Sequence, residues 1–242
     1  MTTNTQSGTR IDLIADGIHR ISTPVPPEMI PGGFTFNQYL VVDDAPLLYH
    51  TGPRKMFPLV REAVESVIPV SSLRYIAFSH FEADECGSLN EFLEAAPNAE
   101  PLCGAIAKMV SVDDMALRPA RALADGETLS LGKHIVQWID TPHFPHGWEC
   151  GHLFDQTTKT LFCGDLFTQG GDDHEPLTTG DILDSSEAMR SAMDYFSHTK
   201  PTRELAEKLA ATSPKVLACM HGSAWQGDGA ELIRQLAGRL AG

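Results

Sequence analysis

The 242-residue chain has no CxxC pair, no glycine-rich phosphate loop, and no apolar run near the about 18 residues that a membrane helix needs. Its five cysteines, Cys86, Cys103, Cys150, Cys163 and Cys219, are odd in number and widely spaced. That pattern excludes a disulfide framework and a four-cysteine zinc or rubredoxin site. In apolar company such as LFCGD and VLACM they read as small buried hydrophobes. The N-terminus, MTTNTQSGTR, is polar and has no apolar h-region, so no membrane association is expected and the cytoplasm is the expected compartment. Basic residues are scarce as well: 18 Lys and Arg stand against 32 Asp and Glu, a formal net charge of -14. Such a surface repels phosphate backbones and anionic lipid, which excludes nucleic acid as a partner and leaves small molecules and proteins.

What is present is an ordinary globular composition, 42% hydrophobic and 21% charged, enough to bury a core. No Pro- or Ser-rich linker divides the chain, so one domain over residues 11–242 is expected, after a disordered polar tail over residues 1–10. Short or alternating apolar runs, IDLIA, GIHRIS, FNQYLVVD and PLLYH, read as strands. A helical period follows in FPLVREAVESV, then the strand RYIAFS, then LNEFLEAA with Ser88 and Glu91 as a capping pair. Strands return in ETLSL, HIVQWID, HLFDQ and TLFCGD, and the last third is helical over residues 185–196, 202–211 and 229–240, interrupted by the strand KVLACM. Two successive blocks, each running from β to α, suit an α/β chain of two packed sheets flanked by helices.

Four of these strands end in metal-competent side chains: AFSHFEADE, DTPHFPHGW, LFCGDLF and ACMHGS. Strand ends aim side chains rigidly, which is where sites assemble in such folds. In an extended segment His80, Glu82 and Asp84 would share one side, because strand side chains alternate. One histidine after a strand means little, but four such ends together point to a site. A mixed set of imidazoles and carboxylates suits two divalent or trivalent ions sharing a bridge.

The stretch HFEADECGSL, with TPHFPHGW, LFCGDLF and MHGSAW behind it, resembles the metallo-β-lactamase superfamily, and within it the diiron domain of flavodiiron proteins. That branch carries HxExD where the zinc hydrolases carry HxHxDH, so Glu82 takes the place of the second histidine. The resemblance covers most of the chain from about residue 11 and implies an αββα sandwich. It also implies two irons: His80, Glu82 and His146 on one, Asp84 and His221 on the other, and Asp165 bridging. A carboxylate in place of a neutral imidazole adds charge and a hard oxygen donor, which favours iron reaching the ferric state over a zinc that never changes valence, with Zn or Mn as the alternative metals. Glu85 stands where the superfamily commonly has a histidine; either the second metal lacks that ligand or it recruits Glu85, an exposed loop carboxylate being the plainer state.

Three further residues have two readings each. His143 either orients a ligand by a hydrogen bond or is an exposed loop residue, His19 lies near the pocket or simply packs in a strand, and Tyr195, on the helix of residues 185–196, either packs or reaches a metal-bound species. Nothing after the metal domain resembles a flavodoxin domain, so no FMN is expected in this chain. The expected function is therefore binding of O2 or NO at a diiron pair, as sensor, carrier or scavenger. The alternatives are a reductase core fed by an external flavoprotein or other electron donor, and a Zn or Mn hydrolase acting through a metal-activated water. A homodimer is a further expectation, since flavodiiron proteins pair head to tail.

Overall fold

Apolar alternation in the first quarter of the chain produces four antiparallel strands: β1 (Arg10–Ala15), β2 (Ile18–Val25), β3 (Phe34–Val41) and β4 (Leu47–Tyr49). Beyond them the pairing turns parallel, through β5 (Tyr75–Ala77), β6 (Glu100–Gly104) and β7 (Arg121–Leu123), and the sheet runs in sequence order. Parallel neighbours need crossovers. These are supplied by α1 (Phe57–Glu65), α2 (Ala83–Cys86), α3 (Leu89–Ala95), α4 (Ala105–Ala107) and α5 (Asp113–Met115). The second sheet holds β8 (Thr128–Ser130), β9 (Ile135–Asp140), β10 (Gly151–Asp155), β11 (Thr160–Phe162), β12 (Leu177–Thr178), β13 (Val216–Ala218) and β14 (Ala224–Gln226), ordered β12-β14-β13-β11-β10-β9-β8. The helices α6 (Leu183–Met193), α7 (Thr202–Ala210) and α8 (Gly229–Leu240) complete it. This is a computed structural model and it describes residues 1–240; the last two residues of the expected 11–242 domain lie outside the described residues.

Three apolar cores define the layers. Tyr39, Tyr49, Leu102, Trp138, Leu153 and Phe162 fill the space between the sheets. Val60, Val64, Phe92 and Leu93 pack α1 and α3 onto Ile76 and Phe78 of the first sheet's outer face. Leu205, Leu209, Ile233 and Leu236 pack α7 and α8 onto Leu161 and Leu217 of the second. Each such fully buried Leu or Phe contributes about 1.5–3 kcal/mol. The order of layers is helix, sheet, sheet, helix, the αββα sandwich expected. All five cysteines are free and buried, as their apolar surroundings suggest. No helix among the described residues is long and apolar enough to cross a membrane.

The polar N-terminus departs from expectation. Instead of a disordered tail, residues 1–9 fold back on β1: the Met1 ammonium donates to the Ile11 carbonyl at 2.8 Å and to Asp12 Oδ1 at 2.7 Å, and Thr2 bridges to Arg10. Short polar side chains close the turn, with Asn4 Oδ1 accepting from the backbone N–H of Gln6 and Ser7. Ser88 precedes α3 as expected but makes no capping bond, because its hydroxyl donates to the Pro53 carbonyl at 3.0 Å. The helix α6 ends at Met193, where Asp194 takes a left-handed φ of 47°, so Tyr195 lies beyond the helix and not on it.

Within β10, His152 is fully buried, its Nε2–H donating to the Cys163 carbonyl at 3.1 Å and its Nδ1 lying 2.8 Å from the Thr141 hydroxyl. Burial drives its pKa down to about 4. From the ordinary value near 6.5 down to about 4, the unfolded chain binds a proton that the folded one does not, so stability falls as pH falls, by about 1.4 kcal/mol per pH unit for this group. Urea unfolding of metal-free protein between pH 7 and 4.5 is expected to show that decline, and His152→Gln, which cannot take up the proton, to reduce it.

Candidate metal centre

Sheet register delivers the site. Ala77 at the end of β5 lies beside Tyr49 of β4, and Phe162 of β11 lies beside Ala218 of β13. His80, Asp165 and His221 each stand three residues beyond Ala77, Phe162 and Ala218; the parallel neighbours β11 and β13 project Asp165 and His221 from one end of the second sheet, and His80, from the first sheet, meets them there 3.5 Å from Asp165. His146 comes from the loop joining β9 to β10. Glycine is required after His221, because Gly222 has φ 92° and a Cβ there would stand 2.5 Å from Gln169.

Asp165 organises the cluster. Its Oδ2 lies 3.5 Å from His80 Nε2 and 3.3 Å from His146 Nε2, whereas Oδ1 lies 3.3 Å from His221 Nε2. Glu82 Oε1 is 3.2 Å from His146 Nε2 and 3.7 Å from His80 Nε2, and Asp84 Oδ2 is 3.6 Å from His221 Nε2. The six residues therefore divide into His80, Glu82 and His146 on one side of Asp165, with Asp84 and His221 on the other. Two donors held at about 2.1 Å by one tetrahedral ion sit roughly 3.4 Å apart, close to these spacings.

Two of the three rings are also oriented from behind by hydrogen bonds. His221 Nδ1 donates to the Thr35 carbonyl at 2.7 Å, which turns Nε2 toward Asp165, and Phe34 stacks on the ring at 4.2 Å. His80 Nδ1 is 2.9 Å from Ser79 Oγ. The Tyr195 phenol donates to the backbone carbonyl of Asp165 at 3.0 Å, and its ring meets His146 edge-on at 5.9 Å. Phe34 and Thr35 were not anticipated. The alternation in FTFNQYLV, which puts Phe34 and Phe36 on one face, was the available signal.

The donor set fits metal ions by a direct test. His80 Nε2, Asp165 Oδ1 and both Glu85 carboxylate oxygens are buried without a hydrogen-bond partner. Buried polar atoms left unpaired are costly, and cations on the two sides of Asp165 would give these lone pairs partners. The electrostatics agree. The facing imidazoles of His146 and then His80 hold the Glu82 carboxyl down at about 2. Burial opposes ionisation of Asp165, but His221, His80 and His146 outweigh it and keep that carboxyl below the usual range. Burial likewise opposes charge on His146 and His221, and the facing carboxylates raise both.

Two expectations change, and the open readings of His143 and His19 close. His80, Glu82 and Asp84 do not form a row on an extended segment: β5 ends at Ala77, and Asp84 sits in the helical turn α2, which swings it toward His221. Glu85 is not an exposed loop carboxylate but fully buried, with Oε1 3.8 Å from His80 Nε2. Burial pushes its carboxyl well up, and the charges of Asp165 and Asp84 add to this. His143 is exposed, only its backbone N–H engaging the Gly147 carbonyl at 2.8 Å, so its loop-residue reading stands. His19 is half-buried on β2, outside the residues lining the pocket.

A cavity of about 210 Å³ opens over the donors, lined also by Phe34, Thr168, Met189, Met193 and Tyr195. No Lys or Arg lines it.

An αββα sandwich with imidazoles and carboxylates gathered where its strands end is the metallo-β-lactamase fold. Residues 34–222 match the family model described as ODP family beta lactamase, and the chain belongs to that family. It is 25% identical over 208 residues to the rubredoxin-oxygen oxidoreductase of Megalodesulfovibrio gigas, covering 81% of this chain and 50% of that one. It is 24% identical over 216 residues to the anaerobic nitric oxide reductase flavorubredoxin of Aliivibrio salmonicida, covering 84% and 42%. The chain thus spans half or less of the length of these relatives. Among solved structures, the metal-soaked Flv1 flavodiiron core from Synechocystis sp. PCC6803 superposes with a TM-score of 0.81 at 20% identity, covering 96% of this chain and 61% of that one. The fold is that of flavodiiron cores.

Proposed function

We propose that this chain holds two iron ions and binds O2 or NO between them, as a sensor, carrier or scavenger. The observation that carries it is the division of Asp165, whose two carboxylate oxygens face two separate groups of donors. His80, Glu82 and His146 would hold one ion, Asp84 and His221 the other, and Asp165 both. Glu85 adds a fourth carboxylate, and four carboxylates balance the four positive charges of two ferrous ions. Bound iron would supply electrons and open coordination positions. The protein's own part is to fix the donors, through the Thr35 and Ser79 bonds to two of the rings, and to shape the approach.

The cavity supports a small uncharged ligand. At about 210 Å³ it is smaller than the ~300–1,000 Å³ of sites for larger organic ligands, and its apolar roof of Phe34, Met189 and Met193 offers nothing to a charged group. The absence of a cationic side chain in its lining also disfavours the hydrolase alternative for anionic esters or lactones. A reductase core served by an external electron donor is the second reading, favoured by the similarity to a rubredoxin-oxygen oxidoreductase and a nitric oxide reductase flavorubredoxin.

Anaerobic loading with ferrous iron is expected to give two irons per chain, and one equivalent of O2 a new visible absorption that persists for minutes. Steady O2 or NO consumption with added reductant would favour the reductase. Full iron loading with no reaction toward either gas would sink both and return the hydrolase.

A further inference from the structure

Behind His80 lies a buried polar chain that takes no part in holding a ligand directly. Ser79 Oγ is 2.9 Å from His80 Nδ1 and 3.1 Å from His50 Nε2. His50, Ser79 and His80 are all buried, and His50 stacks on Tyr49 at 4.2 Å. Two features show that this arrangement is held in place. His50 adopts a left-handed φ of 64°, a conformation costing an ordinary residue of order 1 kcal/mol or more. Gly164, beside Asp165, has no room for a side chain, since a Cβ there would stand 2.9 Å from Ser79 Oγ.

Hydrogen-bond bookkeeping assigns the protons. The backbone N–H of Ser79, which can only donate, points at His50 Nε2 at 3.3 Å. His50 Nε2 therefore carries a lone pair and the ring proton sits on Nδ1. The Ser79 hydroxyl proton then has two acceptors within reach, His50 Nε2 and His80 Nδ1. If it goes to His80, that ring must carry its proton on Nε2, facing Glu82 and Asp165, and cannot hold a metal there. If it goes to His50, whose Nε2 lone pair it then shares with the Ser79 N–H in a three-centre bond, the Ser79 oxygen accepts from His80 Nδ1–H and the His80 Nε2 lone pair is free.

We propose that Ser79 and His50 are positioning residues for His80: His50 draws the serine hydroxyl proton away, and Ser79 thereby fixes His80 in the tautomer that presents Nε2 to a metal. This rests on the metal-centre reading above. The chain is not a proton conduit, because among the described residues nothing bonds His50 Nδ1 and the ring is closed off from solvent. Groups that orient a ligating histidine in this way typically contribute 10- to 100-fold in metal affinity.

The test measures Co2+ affinity, by competition with a chelator, in the whole chain and four variants. Ser79→Ala should bind about 10- to 100-fold more weakly. His50→Asn tolerates the left-handed backbone but is too short to reach Ser79 as Nε2 does, and it should weaken binding within the same range. His50→Gln, which restores an acceptor at that reach, should recover most of the affinity. The double variant of Ser79→Ala with His50→Asn should be no weaker than Ser79→Ala alone, because the influence of His50 on the His80 tautomer runs through the hydroxyl, whereas its bond from the Ser79 backbone N–H does not select a tautomer. Losses that simply add, or unchanged affinity in Ser79→Ala, would overturn the proposal. So that it survives variants that fail to fold, zinc-loaded wild type with 15N-labelled histidine rings should show His80 bound through Nε2 with a slowly exchanging proton on Nδ1. Ligation through Nδ1 would equally overturn it. Failure of wild type to take up any metal would instead sink the metal-centre reading itself.

Discussion

If the chain takes up the metal pair proposed above, Asp165→Asn is expected to lower its metal content from two ions to one or fewer. The substitution keeps the shape and one oxygen but removes the charge and replaces the second oxygen with an amide, which cannot ligate. In the native geometry the two oxygens face different groups, Oδ2 toward His80 and His146 and Oδ1 toward His221. The loss should fall on the ion that keeps fewer protein donors, the one beside Asp84 and His221. Metal analysis after gel filtration, with X-ray absorption for the metal-metal distance, decides it. Two ions retained at an unchanged separation would remove Asp165 as a bridge.

Glu85→Gln is expected to move two quantities in opposite directions. Without metal, Glu85 is a fully buried carboxyl with both oxygens unpartnered, facing the carboxylates of Asp165 and Asp84. A neutral amide that can donate to those neighbours should stabilise the metal-free protein by on the order of 2 kcal/mol. With metal, the same change removes a negative charge from a site holding two cations, and affinity should fall about tenfold or more. Urea unfolding of metal-free protein and chelator competition of the loaded protein measure the two effects separately. Weaker binding together with lower metal-free stability would make Glu85 a structural residue; unchanged binding would exclude it as a ligand.

How the site became legible differs from residue to residue. His80, Asp165 and His221 announce themselves because each closely follows the end of an apolar strand, and His146 because it lies in the loop after one, six residues beyond β9. Glu82 and Asp84 were placed in the cluster for a partly wrong reason, since a row on an extended segment requires β5 to continue, whereas it stops at Ala77 and a helical turn carries Asp84 inward. Glu85 shows the limit more sharply. A glutamate in an acidic loop is normally solvated, and only the packing of α2 against the sheet closes water off from it. Tyr195 was assigned to a helix that the left-handed Asp194 ends two residues earlier, which frees the phenol to reach the Asp165 backbone.

By itself the sequence determined the two-block order of strands and helices, the apolar faces that make the three cores, and the residue types delivered at four strand ends. Those are local properties: periodicity, turn residues and side-chain chemistry act within a few positions along the chain. What only the tertiary structure decided was which of those ends meet, that the two oxygens of Asp165 face separate donors, and that His50 and Ser79 stand behind His80. Such relations join residues far apart in the chain, His80 to Asp165 and Thr35 to His221, and are set by sheet register and by side-chain packing that no short window of sequence contains.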